Sequence, residues 1–586
     1  NIIPQERFGA TAKKIISLMP LPNLPGETNN YFVQAPFEFN RWTLDSKVNW
    51  NATSKLNIFG RYSHLDFWTF NETVYGDTLQ GSPIAGGNPG TGQGYTANFS
   101  AGGTYVFSPT LVAHAHFGYV RMYTDVAHSD IGQNKGSELF GLTGLNGPRA
   151  FEGGMPVFNF DTYHSPGITE LYMPYNRNDD QYQTVLNVTW SKGKHNVRFG
   201  TDIYFQALNH VQPELSGGDN FGARGGFRFR SGPTQINGGP GGNMYNSWAS
   251  FLLGYPDQLG RLNLAVAPYS TRMRSYSFYV RDQWQVSNRL TLSYGTRYEY
   301  FPVPTRSDRG LERYNPDTNM MEIGGVGSVP TDLGISVEKA LFAPRVGATF
   351  RVSPSMVIRG GFGITNDPYS LARPMRTNHP VLLNFTVPAP QNFLWAGRTA
   401  DGVPPIPNQD VGKGIIPIPP QVTAFTLPTD FNRGYVESFN VAVQKELKWG
   451  FVGEAAYVGT RQIDQLGNLQ LNWTPIGGGE AGRQLRTKWG RTADTLMVSN
   501  IGDSEYNALQ ARLDRRFANG IQLGVGYTFS KSMGQAGAPD SDNTPSIQIP
   551  EFYYLNWALS PFDRTHNLQD LGVKVTLPSY FQLMMV

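Results

Sequence analysis

The sequence predicts an all-β protein, a large antiparallel transmembrane β-barrel with short turns at one end and long loops at the other. Three observations carry this. First, one unit recurs along the 586 residues: an alternating apolar/polar run, a short turn and a second alternating run. The turns fall at Thr53–Lys55, Ser108–Thr110, Ser191–His195, Val286–Arg289, Ser353–Ser355, Lys445–Gly450 and Ala518–Gly520. Second, the runs last about 9–12 residues, the length a tilted strand needs to cross a bilayer, whereas strands of soluble sheets average about 5–6. Third, the segments between hairpins reach roughly 30–70 residues and are rich in Gly, Pro and Asn, so every short turn lies on one side.

The alternation has physical content, because side chains of a strand point to opposite faces with period two. In Leu290–Tyr300 one face reads Leu290, Leu292, Tyr294, Thr296, Tyr298 and Tyr300; the other reads Thr291, Ser293, Gly295, Arg297 and Glu299. Val197, Phe199, Thr201, Ile203 and Phe205 oppose Arg198, Gly200 and Asp202 in the same way. A soluble sandwich also alternates, with its apolar face turned inward. Strand length and loop asymmetry choose the barrel, and so do the aromatics. Trp50, Trp190 and Trp284 come just before a short turn, and Tyr62, Tyr119 and Tyr298 follow one by about eight residues. Eight residues at about 3.3 Å, tilted by about 40°, rise roughly 20 Å, close to the height of a lipid-facing band. These six residues are therefore assigned to the two membrane interfaces. Asp282 shares the lipid-facing parity of Phe278, Val280 and Trp284. It is interfacial, or a local bulge flips the parity there.

Taken in order, residues 1–39 read as a connector with one convincing helix, Ala10–Met19, ended by Pro20. Residues 40–586 read as the barrel. Seven hairpins and the run His566–Leu577 give about 15 strands, an unfinished count for a closed barrel in lipid. The chain does not start with Met, shows no signal peptide, and stops at Met584–Met585–Val586 inside what reads as another strand. The expectation is a chain cut at both ends, with C-terminal strands missing.

Composition agrees. Charged residues are 16% against a typical quarter, aromatics 13%, and mean hydropathy is −0.35, which excludes a helical membrane protein. No run of 18 apolar residues exists. The absence of cysteine removes disulfides and thiolate metal sites, and a net charge of +3 is too small to argue for nucleic acid.

Specific strings narrow the reading. Ser504-Glu505-Tyr506-Asn507-Ala508-Leu509-Gln510 is followed by Arg515-Arg516-Phe517, Gly520 and Tyr527-Thr528-Phe529-Ser530-Lys531-Ser532. Ala456-Tyr457-Val458-Gly459-Thr460-Arg461, Phe562-Asp563-Arg564-Thr565-His566-Asn567 and Tyr279-Val280-Arg281-Asp282-Gln283-Trp284 also stand in the chain, the last before the run at 290–299. Together they resemble the barrel of a TonB-dependent outer-membrane receptor of the Oar-like group. The opening, Pro4-Gln5-Glu6-Arg7-Phe8 to Leu21-Pro22-Asn23, resembles the passage from plug to barrel. The resemblance covers essentially the whole chain. It implies a 22-stranded barrel in the outer membrane of a Gram-negative cell, closed by a plug and energised through a TonB box. The implied partners are outer-membrane lipid, the barrel's own plug, the TonB complex and an extracellular ligand. Plug and TonB box are absent from this sequence.

By the alternation, Arg61, Arg198, Arg281, Arg297, Arg345, Arg351, Arg359 and Arg512 point into the lumen, with Asp202, Glu299 and Asp514 as inward acids. They attract an anionic ligand, or they face the plug and pair with neighbouring acids; the second is the simpler reading, because a plugged barrel needs a polar wall. Loop aromatics are the candidate ligand readers: Trp68, Phe70 and Tyr75 in one loop, Phe393 and Trp395 in another, Tyr553, Tyr554 and Trp557 in a third. They stack on a sugar, a peptide or a macrocycle, or they pack the loops together.

Metal and enzyme chemistry are not expected. The acidic loop clusters Asp540-Ser541-Asp542-Asn543 and Asn178-Asp179-Asp180 lack the ligand count calcium requires. His114 and His116 share a strand face without a third ligand. No nucleophile elbow, His-Glu-x-x-His or Walker loop occurs, and Gly90-x-Gly92-x-Gly94 lacks the strand–loop–helix context of a phosphate loop. No cofactor is called for. The expected function is ligand binding by external loops followed by admission to the periplasm. The rival is a structural or adhesive outer-membrane barrel; a passive porin, with 16–18 strands and no plug, is weaker.

Overall fold

The computed structural model describes residues 2–161, 163–167, 170–213, 220–368, 375, 378–406, 410–518, 521–535, 546–576 and 582–585. Its main sheet is an antiparallel meander. The strands are β1 Glu38–Asn51, β2 Leu56–Asn71, β3 Gly90–Ser108, β4 Leu111–Ala127, β5 Tyr175–Lys192, β6 His195–Val211, β7 Tyr269–Gln285 and β8 Leu290–Tyr300. They continue as β9 Leu341–Ser353, β10 Met356–Asn366, β11 Tyr435–Glu446, β12 Phe451–Gln470, β13 Thr495–Ala518, β14 Ile521–Gly534, β15 His566–Thr576 and β16 Gln582–Met585. Each pairs with the next. The described strands exceed the expected count by one, because the short β16 pairs with β15. The expected short turns lie between the strands of each hairpin, and residues 519–520 of the last one fall outside the described residues.

Direct partners across an antiparallel ladder share a face, so the register assigns both faces without ambiguity. Arg61 leads through Ser100, Gly118, Gln183 and Tyr204 to Ser275, which has the parity of Arg281. Arg198 lies directly opposite Arg281, Arg281 opposite Gly295, and Gly295 opposite Arg345. The other face is apolar and open: Val48 is 66% exposed, Phe342 57% and Val441 54%. Side chains of this kind are ordinarily interior; covering a whole sheet face, they make a lipid-facing wall. All six interface aromatics lie on it. Tyr62, Phe99, Tyr119, Tyr182 and Phe205 are consecutive cross-strand partners, an aromatic row across five strands. The Tyr119 and Tyr182 rings approach to 5.0 Å.

Asp282 keeps the lipid-facing parity, because the ladders on both sides of it are regular and no bulge intervenes. Three residues from the strand end, its carboxylate accepts hydrogen bonds from His195 Nδ1 at 2.6 Å and the Tyr294 hydroxyl at 2.9 Å. The bulge alternative is thereby excluded.

Four expectations are corrected. Trp68 and Phe70 are not in a loop: they sit in β2, opposite Asn40 and Glu38 of β1. Asn178-Asp179-Asp180 and Gly90-x-Gly92-x-Gly94 are likewise strand residues, in β5 and β3. The strands are longer than a membrane crossing needs, 20 residues in β12 and 24 in β13. The excess lies at the loop end, where Leu466, Leu496 and Val498 enter a packed core.

That core is the main departure from the sequence reading. The buried apolar side chains gather in three clusters on the long-loop side. A four-stranded sheet of Val157–Phe160, Gly226–Phe229, Gln258–Leu264 and Leu382–Pro388 supplies Phe158, Phe160, Phe227 and Phe229 to one of them. The segment between β8 and β9 forms a hairpin, Glu312–Asn315 with Met320–Ile323, and Ile415–Pro417 adds a third strand. The expected N-terminal helix forms at Ala10–Leu18 and buries Ala12 and Ile15 in the same cluster as the four phenylalanines. It is not the one helix of note. Met244–Leu253 is a second, capped by the Asn243 side chain at its start and by Gly254 in the left-handed conformation at its end.

Inside this assembly Asp130 is fully buried and accepts from His128 Nδ1 at 2.6 Å, Lys135 Nζ at 2.9 Å and the Met155 amide at 2.7 Å. Burial alone raises the Asp130 carboxyl, but the bond from His128 and the Lys135 charge outweigh it and hold it down at about 2. Burial holds His128 below its ordinary value, so near neutral pH the neutral ring donates and Lys135 supplies the charge. A carboxyl depressed in the folded state stabilises fully above its unfolded value of about 3.9 and loses that contribution as pH falls towards about 2. Denaturant midpoints of the loop assembly, read by tryptophan fluorescence, will therefore drop between pH 4 and pH 2. Asp130→Asn will start lower and show a shallower drop; an unchanged slope refutes the assignment.

Candidate functional site

Two places bring the candidate residues together, the inner face of the wall and a cleft among the loops. On the inner face the eight arginines divide. Arg61 pairs with Asp45 at 3.1 Å, Arg297 with Glu299 at 2.9 Å and Asp202 at 3.6 Å, Arg359 with Glu454 at 2.6 Å, and Arg512 with Asp514 at 2.6 Å. Arg198, Arg281, Arg345 and Arg351 have no acidic partner among the described residues. Three of these four stand in one cross-strand row, Arg198–Arg281–Gly295–Arg345. They line a hollow of about 590 Å³. Gly295 is required in that row: a Cβ there would meet the Val280 carbonyl at 2.4 Å and the Arg281 Cβ at 2.6 Å. Like charges directly opposite on a ladder repel, so the row presents uncompensated positive charge.

His114 and His116 lie on the same face, their rings 5.4 Å apart, beside Lys47 and Arg61. Among the described residues no group of three or more metal-ligating side chains exists. Asp540–Asn543 lies outside the described residues. Asp179 faces inward, fully buried, and is held by Arg177 at 2.6 Å and by Gln206.

The loop aromatics behave differently from one another. Tyr75 is drawn inward: its ring stacks on Tyr31 at 6.4 Å, meets His164 edge-on at 5.6 Å, and its hydroxyl donates to the His164 carbonyl at 3.1 Å. Burial pushes its phenol up to about 12. Trp395 stacks on Tyr255 at 4.6 Å, and Phe393 is half-buried beside it in sequence. Tyr553, Tyr554 and Trp557 stand exposed on and just after the short helical segment Pro550–Asn556.

The structure adds residues that the sequence reading missed. Tyr75 lines a cleft of about 950 Å³ between residues 16–33, the segment joining β2 to β3, the segment joining β4 to β5, and the helix Met244–Leu253. Tyr31, Phe32, Tyr163 and Trp248 complete its aromatic lining, with Tyr163 and Trp248 5.1 Å apart. Its charged side chains are Glu27 and Asp161. These come from four separate stretches of chain and share no spacing motif; the one local signal was the capped helix that carries Trp248.

The family model described as outer membrane beta barrel domain matches residues 1–579. No curated protein matches. Among solved structures, the ferripyoverdine receptor of the outer membrane of Pseudomonas aeruginosa is 10% identical, with a TM-score of 0.45 over 93% of this chain and 53% of its own. The alcaligin outer membrane receptor FauA of Bordetella pertussis is 9% identical, with a TM-score of 0.39 over 92% of this chain and 58% of its own. The siderophore receptor PiuA of Acinetobacter baumannii is 12% identical, with a TM-score of 0.39 over 87% and 58%. The chain thus spans little more than half the length of each.

Proposed function

Since the chain belongs to the outer membrane beta barrel domain family and resides in the outer membrane of a Gram-negative cell, we propose that it is the barrel portion of a TonB-dependent receptor. In this reading the loop assembly binds a ligand on the cell's outer side, a plug fills the lumen, and rearrangement of that plug, driven from the inner membrane through TonB, admits the ligand to the periplasm. Nothing in the scheme requires covalent catalysis. The observation that supports it most directly is the row Arg198–Arg281–Gly295–Arg345, which turns three unpaired cations onto one hollow. In the receptor reading, carboxylates on a plug are the counter-charge this row calls for.

The test is the full-length gene. A TonB box and a plug encoded ahead of residue 1, with the protein retained on an immobilised TonB periplasmic domain, bear the proposal out. A parent gene without them overturns transport and leaves the structural or adhesive barrel.

A further inference from the structure

The cleft beside the N-terminal helix has a definite chemistry. Five aromatic rings, Tyr31, Phe32, Tyr75, Tyr163 and Trp248, from four stretches of chain face about 950 Å³, a volume of the size that takes a drug-sized ligand. No lysine or arginine lines it, whereas Glu27 and Asp161 do. Arg230 reaches Asp161 at 3.3 Å and offsets that charge. Glu27 has no such cation among the described residues: its carboxylate accepts from the Tyr245 hydroxyl, and it sits close enough to Tyr163 to help burial hold that phenol up. His164, bound to the Ser82 hydroxyl at 2.7 Å, is held below its ordinary value by burial and brings no positive charge near neutral pH. The cleft therefore carries negative charge next to π faces and no cation that competes for them. Ring faces attract ammonium and guanidinium groups, more strongly when a carboxylate is near and water is partly excluded.

We propose that this cleft binds an organic cation, presented as a lysine- or arginine-bearing short peptide, with Glu27 as its counter-ion and Trp248, Tyr163 and Tyr31 as its aromatic walls. The proposal rests on the receptor reading above and gives it a ligand class. It also separates two surfaces of opposite sign. The acidic cleft lies among the loops, where a ligand arrives; the unpaired arginines line the lumen, where the same cation would be repelled until a plug covers them.

The experiment uses the whole chain in a non-ionic detergent, with fluorescein-labelled trilysine as the probe and anisotropy as the readout. Unlabelled triglutamate and maltotriose are the competitors. Trilysine is expected to bind saturably and to be displaced by neither competitor. Glu27→Gln, a change at an exposed side chain, is expected to weaken it at least tenfold, and Glu551→Gln, an exposed acid outside the cleft, to leave it unchanged. Tyr163→Leu provides an independent check from the aromatic side, with the thermal midpoint confirming that the fold survives. Binding that ignores both Glu27→Gln and Tyr163→Leu overturns the site. Displacement by maltotriose overturns the cationic class and makes the cleft a saccharide site, with the receptor reading intact. No binding of any probe overturns the proposal as well, while the receptor reading still stands or falls on the TonB box and plug of the parent gene.

Discussion

Glu312→Ala is expected to unfold the loop assembly while the barrel wall stays paired, at a cost of about 3–5 kcal/mol, because it leaves a buried cation without its partner. Glu312 and Arg306 are both fully buried, 0% and 3% exposed. The Arg306 guanidinium donates to the Glu312 carboxylate at 2.6 and 3.2 Å, and Arg309 reaches its other oxygen at 3.2 Å. Arg306 also donates to the Ser270 carbonyl at the start of β7 and to the Met375 carbonyl. One buried pair therefore ties the segment between β8 and β9 to the wall and to the segment between β10 and β11. Removing the carboxylate takes away the ion pair of a buried guanidinium that stands beside the cluster containing Leu311, Met375 and Leu382. Hydrogen exchange reads the result: protection is lost over residues 301–340 and 378–434 and retained in β2–β6. Replacing both partners, Arg306→Met with Glu312→Leu, should recover most of the loss, since apolar pairs of similar volume often substitute for buried ion pairs. A single variant that leaves the loops protected, or a double variant no better than the single, refutes the argument.

The same loops show where the sequence stopped being informative. The wall was legible because its constraint repeats: every strand must present an apolar residue to lipid at every second position, so Leu290–Tyr300 alone reveals its two faces, and the register bears that parity out at all eight arginines. That the six aromatics Trp50, Tyr62, Tyr119, Trp190, Trp284 and Tyr298 share the apolar face was legible for the same reason. The loop core obeys no such period. Val157–Phe160 and Gly226–Phe229 are four residues each, too short for alternation to be told from chance, and they pair in parallel across 65 intervening residues that give no hint of the pairing. Trp68 and Phe70 looked like loop residues because the expected strand ended at the membrane, whereas β2 continues beyond it to Asn71. The helix Met244–Leu253 was within reach: Asn243 and Asn246 form a capping box and Gly254 a left-handed stop. Its polar positions Asn246, Ser247 and Ser250 also fall on one side, within an arc of about 100°, so a helical period was present as well. The cleft was out of reach, because it exists only where four distant segments meet.

Leu186→Arg is the substitution that tests the membrane itself. Leu186 lies on the lipid-facing parity of β5, 41% exposed, midway between Trp190 near the turn and Tyr182 of the aromatic row. Four residues separate it from each, about 10 Å along the membrane normal at about 3.3 Å per residue and 40° tilt, which places it near the midplane. An arginine on the lipid face at that depth costs about 2–4 kcal/mol. Val185, one residue away, points to the inner face and lies directly opposite Asp202 of β6, so Val185→Arg adds a cation beside a carboxylate in a polar lumen and should cost far less. Both variants can be unfolded by urea in phosphatidylcholine vesicles, with the heat-modifiable gel shift reporting the folded fraction. The two substitutions are adjacent in sequence, equal in size and equal in charge, so only the face they occupy separates them. A large loss for Leu186→Arg with a small one for Val185→Arg identifies the apolar face with lipid. The reverse order would turn the sheet inside out, making the apolar face a protein interior and the arginine face the outer surface.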